Sequence, residues 1–298
     1  MKIEQWRSSA FERFKKAGIE VSETRLEITF IIEAVMGLNR SQQMLYPQQG
    51  IEPSQLQQLE NMVSRRCQRE PLAHILGEWS FWGLDFKVSP DTLIPRADTE
   101  VLVEEVLTYL ETVNIDHKAQ DFWLCDVGTG TGCIALALAS EKKDLSYQLL
   151  DISEQALLIA QENTRNLYQK HELAKHTQIC FAHSDLLSIY DDQQLPRPQV
   201  IVSNPPYVKR AIQESLMPEV KFFDPDLALF DEAKDGLDLT RRLIQQATNI
   251  LPPKGALFIE VGFDQTEKTE QLFKEYLFKQ VKTRKDYGGN PRVVSGIK

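Results

Sequence analysis

Apolar positions near the amino terminus recur at helical spacing: Trp6, Phe11, Phe14 and Ala17 share a face before Gly18. A second amphipathic segment runs from Ser22, placed to act as N-cap, to Gly37, and Ser54 with Gln57 three residues on reads as a capping box opening a third helix. The Gln-rich stretch over residues 42–58, with Pro47, Gly50 and Pro53, has the composition of a solvated face broken by turns. Aromatic and polar residues mix around Gly83 over residues 79–88, which predicts a hairpin or extended linker. After Pro95 the period changes. Apolar runs at residues 122–127, 147–150, 178–182, 200–203 and 256–261 predict strands, and they alternate with helical patterns at 134–139, 154–166 and 237–250. Such alternation predicts an α/β domain with a mostly parallel sheet. Two last strands, near 277–283 and 292–297, are joined by Gly288-Gly289-Asn290-Pro291 and suit an antiparallel edge. The expected organisation is a helical domain over residues 1–78, a hairpin linker over 79–93 and the α/β domain over 94–298.

Composition narrows the class without changing this picture. With 42% hydrophobic and 26% charged residues in 298, the chain has the make-up of an ordinary globular protein. No apolar run approaches the roughly 18 residues a membrane span requires, and residues 1–16 alternate charge with aromatics instead of forming a signal-peptide core, so a cytoplasmic protein with no membrane partner is expected. The net charge of −9 argues against a nucleic-acid partner. The first 80 residues hold 10 basic and 10 acidic side chains, so the imbalance falls on the remainder. The four cysteines form no CxxC pair and the five histidines no metal-binding spacing, which predicts reduced thiols and no metal.

The candidate chemistry begins at Asp126-Val127-Gly128-Thr129-Gly130-Thr131-Gly132, which follows the first strand of the α/β domain and opens a helix. This is the nucleotide position of a Rossmann-like fold, where missing β-carbons let a ligand approach the backbone. A dinucleotide fingerprint would require Gly or Ala at position 133, where this chain has Cys133, and no P-loop sequence occurs. The D-x-G-x-G-x-G order resembles motif I of S-adenosylmethionine-dependent methyltransferases. Asp151 ends the next strand at the offset where a carboxylate reaches a ribose diol, and Ser153, better placed as a helix cap, leaves it free. Asp185 can accept from an adenine amino group with Leu186 beside the ring, and it fits an ordinary Asx turn equally well.

Asn204-Pro205-Pro206-Tyr207 closes the fourth strand. Two prolines deny the segment helix and ladder donors and hold Asn204 on a rigid mount at the carboxyl edge of the sheet. An amide or aromatic amine is a poor nucleophile because its lone pair is delocalised. The Asn204 side-chain oxygen and the Pro205 carbonyl can each accept one N–H of such a group, and Tyr207 can pack on its plane.

These segments, with Ile94-Pro95-Arg96-Ala97-Asp98-Thr99-Glu100, Arg69-Glu70-Pro71-Leu72-Ala73-His74 and the ending Lys285-Asp286-Tyr287-Gly288-Gly289-Asn290-Pro291-Arg292, resemble the PrmC (HemK) family over nearly the whole chain. The resemblance implies a small helical domain, a hairpin and a class I S-adenosylmethionine-dependent methyltransferase domain. It implies methylation of N5 of the glutamine in the Gly-Gly-Gln motif of class-1 peptide release factors. Carried over, it implies cofactor contacts from Gly128, Thr129, Gly130, Thr131, Gly132, Asp151, Asp185, Leu186 and Asn204, and substrate contacts from Asn204, Pro205, Pro206 and Tyr207. Some members carry an aromatic at the position of Leu186, so an adenine contact there is backbone or apolar. Asp98-Thr99-Glu100 is a lesser candidate, since it also describes a helix N-terminus. A related family that methylates glutamine of a ribosomal protein shares Asn-Pro-Pro-Tyr and the 235–242 segment, and remains the nearest alternative. A DNA adenine N-methyltransferase would need a phosphate-binding surface that the net charge argues against.

Overall fold

The computed structural model describes residues 1–113, 121–192 and 195–298. Contacts divide the chain into two compact units: Met1–Glu78 with Met217–Phe223, and Trp79–Leu216 with Asp224–Lys298.

The first unit contains α1 (Ile3–Lys16), α2 (Val21–Met36), α3 (Arg40–Leu45), α4 (Pro53–Cys67) and α5 (Leu72–Leu76). Ile3, Trp6, Ala10 and Phe14 form one buried stripe of α1, completed by Ile28, Ile31 and Ile32 of α2 and Leu59 and Val63 of α4. The helix starts differ from those expected. α2 begins at Val21, so Ser22 lies within its first turn, and α4 begins with Pro53 at N1, where Gln55 Oε1 accepts the Glu52 N–H at 3.2 Å, displacing the expected Ser54–Gln57 box. The Gln-rich stretch also holds a short helix, α3, capped by Asn39. Within this unit Arg66, only 4% exposed, pairs with Glu27 at 2.9 Å and Glu219 at 2.8 Å, and Arg69 grips Glu219 at 2.6 Å. The two guanidinium groups hold the Glu219 carboxyl below its ordinary value despite the opposing effect of burial.

The second unit opens with the hairpin of β1 (Glu78–Phe81) and β2 (Leu84–Lys87), which packs Phe81, Leu84 and Phe86 into its core. A 3-10 turn (Ala97–Thr99) leads into α6 (Glu100–Thr112). There follow β3 (Trp123–Val127), α7 (Cys133–Glu141), β4 (Ser146–Asp151), α8 (Glu154–Gln169), β5 (Gln178–His183) and β6 (Val200–Ser203). The chain then runs through β7 (Val208–Lys209), α9 (Pro218–Phe223), which belongs to the first unit, α10 (Asp226–Leu229), β8 (Phe230–Asp231), α11 (Asp238–Ile250), β9 (Ala256–Glu260), α12 (Thr266–Glu275), β10 (Lys279–Lys285) and β11 (Pro291–Ile297).

Among the described residues seven strands form the main sheet in the order β10-β11-β9-β6-β3-β4-β5, with β11 alone running antiparallel to its two neighbours and to the rest. Both faces are covered, which is why the strands read as unbroken apolar runs. Leu124, Val200 and Val202 point into the α6–α7 side of the core, while Cys125, Ile201 and Leu257 point into the α11–α12 side. The edge strand β10 begins at Lys279, two residues later than its pattern predicts. No helix among the described residues is long and apolar enough to cross a membrane.

Replacing Glu219 by Ala removes one partner from the nearly buried Arg66 and the paired acceptor of Arg69. Because Arg66 keeps Glu27, the first unit should lose about 2–3 kcal/mol in chemical denaturation, and substitution of an exposed acid such as Glu33 should leave it unchanged.

Candidate active site

Strand register places the site. Val127 lies opposite Leu150 on one side and Ser203 on the other, Ser203 lies opposite Ile259, and Asp151 opposite His183. The turns that begin with Gly128, Ile152, Ser184 and Asn204 therefore leave the sheet along one carboxyl edge. Strand order reverses between β3 and β6, where an open α/β sheet leaves a crevice. A cavity of about 410 Å³ occupies that crevice, large enough for a nucleoside-sized ligand.

Its floor is the glycine loop. Asp126, fully buried near the end of β3, accepts from the Thr129 hydroxyl at 2.7 Å and from the Ala135 N–H at 3.3 Å, tying the loop to the strand it leaves. Burial pushes this carboxyl up to about 7, against the pull of those two bonds. Gly130 has φ +55°, and a β-carbon built on Gly128 or Gly130 meets nothing within 4 Å: the backbone faces open cavity. Gly128, Thr129, Gly130 and Thr131 all line it. Gly132 does not. A β-carbon there would lie 3.0 Å from Leu136 Cδ1 and 3.3 Å from Ala160 Cβ, so its bareness serves the packing of α7 and α8.

Asp151 lines the cavity but is not the free carboxylate its sequence context predicts. Its Oδ2 accepts the Gly130 N–H at 2.8 Å and its Oδ1 the Ser153 N–H at 2.9 Å, while Ser153 itself caps α8. Each oxygen retains a lone pair for a hydroxyl donor. Burial raises the Asp151 pKa, partly offset by those N–H groups. Asp185 and Leu186 line the opposite end. Asp185 is engaged by Arg242 at 2.6 Å, a cavity residue from α11 that sequence reasoning did not find, and Leu186 holds a left-handed backbone with φ 53°.

Asn204, Pro205 and Pro206 form the far wall. The mount is tied from below, since the Ser203 hydroxyl donates to the Val127 carbonyl at 2.7 Å and the Asn204 side-chain N–H to the Thr99 hydroxyl at 3.3 Å. Tyr207 is not among the lining residues. It is half-buried beside a charged cluster that includes Glu260, Arg292 and Arg96, and desolvation, followed by the Glu260 charge, raises its phenol to about 12. Thr99, kept only as a lesser candidate from its helix-start context, lines the cavity.

An open sheet with an antiparallel carboxyl-terminal pair, a glycine turn after its first parallel strand and an Asn-Pro-Pro wall at the switch point is the plan of the class I methyltransferases, whose usual methyl donor is S-adenosylmethionine. Residues 107–222 match the family model described as "Methyltransferase small domain", and residues 5–77 match "PrmC N-terminal domain". The chain is 36% identical to a "Release factor glutamine methyltransferase" of Geobacter sulfurreducens, over 93% of this chain and 90% of that protein. It is 32% identical to the protein of the same name from Caulobacter vibrioides, over 99% and 96% of the respective lengths. The fold is also that of the hMettl16 catalytic domain solved with the MAT2A 3'UTR hairpin 1, with a TM-score of 0.55 at 10% identity, covering 91% of this chain and 93% of that one. The chain is thus a class I methyltransferase. It belongs to the release factor glutamine methyltransferase family.

A valine at position 130 would place a branched side chain in the cavity and force it into the left-handed region, a strain of about 1–3 kcal/mol by itself. Gly130→Val should lower affinity for S-adenosylmethionine by at least about 10-fold in calorimetry. Asp151→Ala should weaken the same binding and, by orphaning the Gly130 and Ser153 N–H groups, also cost about 1–2 kcal/mol in denaturation.

Proposed function

We propose that this chain transfers a methyl group from S-adenosylmethionine to the side-chain amide nitrogen of a glutamine in class-1 peptide release factors, the glutamine of the Gly-Gly-Gln motif. The observation that carries this reading is the shared cavity: the glycine loop, Asp151 and the Asn204-Pro205-Pro206 wall face one space, so a donor on the loop and an amide at the wall meet within it. The full-length relatives named for release factor glutamine support the choice of substrate.

The residues present suit the cofactor. Gly128 and Gly130 leave room for it along the loop, Asp151 offers acceptors for a ribose diol, and Asp185 with Leu186 bounds the adenine end. When bound, S-adenosylmethionine supplies an electrophilic methyl on a sulfonium. The protein's task is orientation and exclusion of water. Asn204 Oδ1 and the Pro205 carbonyl each accept one N–H of the glutamine amide, which aims the face of its nitrogen, where the lone pair lies, toward the donor. The same two acceptors stabilise the positive charge that develops on nitrogen. Ile94 and Pro95, both buried, add apolar lining that limits solvent at the reacting atoms. The nitrogen becomes acidic as it is alkylated, so its proton can pass to water and no strong base is required. The helical unit gives the release factor a recognition surface, and the reading is that of a cytoplasmic enzyme.

Asn204→Ala removes one of the two acceptors and leaves the proline mount and glycine loop intact. Single-turnover transfer to a purified release factor should fall about 10²–10³-fold while S-adenosylmethionine affinity changes little. The methylated peptide, identified by mass, should carry the Gly-Gly-Gln glutamine. Methylation of ribosomal protein in place of release factor in a parallel incubation would overturn the substrate assignment.

A further inference from the structure

Beneath the Asn-Pro-Pro wall lies a carboxylate that the reaction does not use. Glu260 ends β9, 2% exposed, and its Oε2 has no hydrogen-bond partner in the protein. Register brings it there: Ser203 lies opposite Ile259, so Glu260, still paired with Val293 of β11, stands beside Asn204 where β6 ends. The groups facing Glu260 are Asp98 and Thr99 from the turn before α6, Cys133 at the start of α7, Asn204 and Tyr207 from the loop after β6, and Arg292 of β11. Thr99 and Asn204 are the polar side chains that favour its charged form, and the Asn204 side-chain N–H donates to the Thr99 hydroxyl at 3.3 Å. Five residues on, Gln265 is also buried. Its Nε2 donates to the carbonyls of Tyr207 and Asp235, each at 3.0 Å, and its Oε1 accepts the Gly262 N–H at 2.9 Å. The turn from β9 to α12 therefore holds both ends of the 204–207 loop.

An amide side chain can be turned over without changing its shape, and only its surroundings decide which edge faces where. Asn204 is useful in the proposed reaction only with its oxygen toward the glutamine, because a turned amide would present N–H to N–H. An ionised carboxylate accepts hydrogen bonds and donates none, so beside Glu260 only the nitrogen edge of Asn204 is tolerated. We infer that Glu260, with Thr99, is a positioning residue that fixes the Asn204 amide with its oxygen toward the cavity, and that Gln265 secures the other end of the same loop. This inference rests on the proposed role of Asn204 as an acceptor. Burial raises the Glu260 carboxyl to about 7, with Thr99 and Arg292 pulling it down. A protonated Glu260 can donate to the amide oxygen and so permits the wrong orientation, and transfer should rise with pH as that proton is lost.

The test is a double-mutant cycle read by single-turnover methyl transfer to release factor, with S-adenosylmethionine affinity measured alongside. Glu260→Gln keeps shape and volume but can face either edge of the amide. It should slow transfer at least about 10-fold, leave cofactor affinity within about two-fold, and remove the rise through neutral pH. In an Asn204→Ala background, where no amide remains to be oriented, adding Glu260→Gln should cost less than about two-fold. A wild-type rate for Glu260→Gln, or an undiminished further loss in the Asn204→Ala background, would overturn the inference. If Glu260→Gln fails to fold or to bind cofactor, Thr99→Val carries the same cycle: slower transfer that vanishes against Asn204→Ala supports the positioning role, and additive loss rejects it. A wild-type rate for Asn204→Ala alone would instead overturn the acceptor role of Asn204, and with it this inference.

Discussion

Parallel pairing sets Val127 level with Leu150 on one side and with Ser203 on the other, and every feature of the site hangs on that row. Each strand must end where its neighbour ends for the following turns to share a floor. A slip of one residue in β6 would turn Asn204 to the opposite face of the sheet and carry the proline mount with it. The register is secured by burial on both faces, since Ile201 and Val202 fill different halves of the core and neither can take the other's place. Side-chain bonds lock the same row: Ser203 to the Val127 carbonyl, Thr129 to Asp126, and Gly130 to Asp151.

Near that edge two of the buried carboxyls, Asp126 and Glu260, are raised by desolvation to about 7. Each carries an oxygen without a protein donor, a costly arrangement in a core. Neither lines the cavity, and each stands one layer behind it. Asp126 shapes the loop where the cofactor is proposed to lie and Glu260 stands behind the amide wall, so the expense falls on the supports of the site.

Much of this was legible in the sequence, for a physical reason. Strands buried on both faces appear as apolar runs, and residues whose work depends on a strand end, such as Gly128, Gly130, Asp151 and Asn204, can be read from what they follow. The cavity gathers Gly128 to Thr131, Asp151, Asp185, Leu186 and Asn204 to Pro206 from that reading. Arg242, Glu260 and Gln265 were not legible, because their significance comes from packing against loops far away in the chain. A signal did exist for one of them: Glu260 is a charged residue closing an otherwise apolar strand, where a burial cost calls for a purpose. Tyr207 shows the converse, since a motif neighbour of Asn204 turned out to belong to the charged cluster behind the wall. Helix starts were displaced by a residue or two where Pro53 and Glu20 competed with better-looking hydroxyl caps.

The helical unit is discontinuous in sequence, and this bears on how it can be made. Arg66 and Arg69 are completed by Glu219, which emerges from the ribosome 153 residues after Arg66. At about 5–20 residues per second the nascent helices wait roughly 8–30 s with that part of the ion network open. An amino-terminal domain would ordinarily finish folding while the rest of its chain is still being translated. Here the last piece of the first unit is encoded inside the second, so the order of synthesis and the order of completion part company. For the same reason the helical unit cannot be shuffled onto another catalytic domain by a single crossover, because one of its own segments would stay behind.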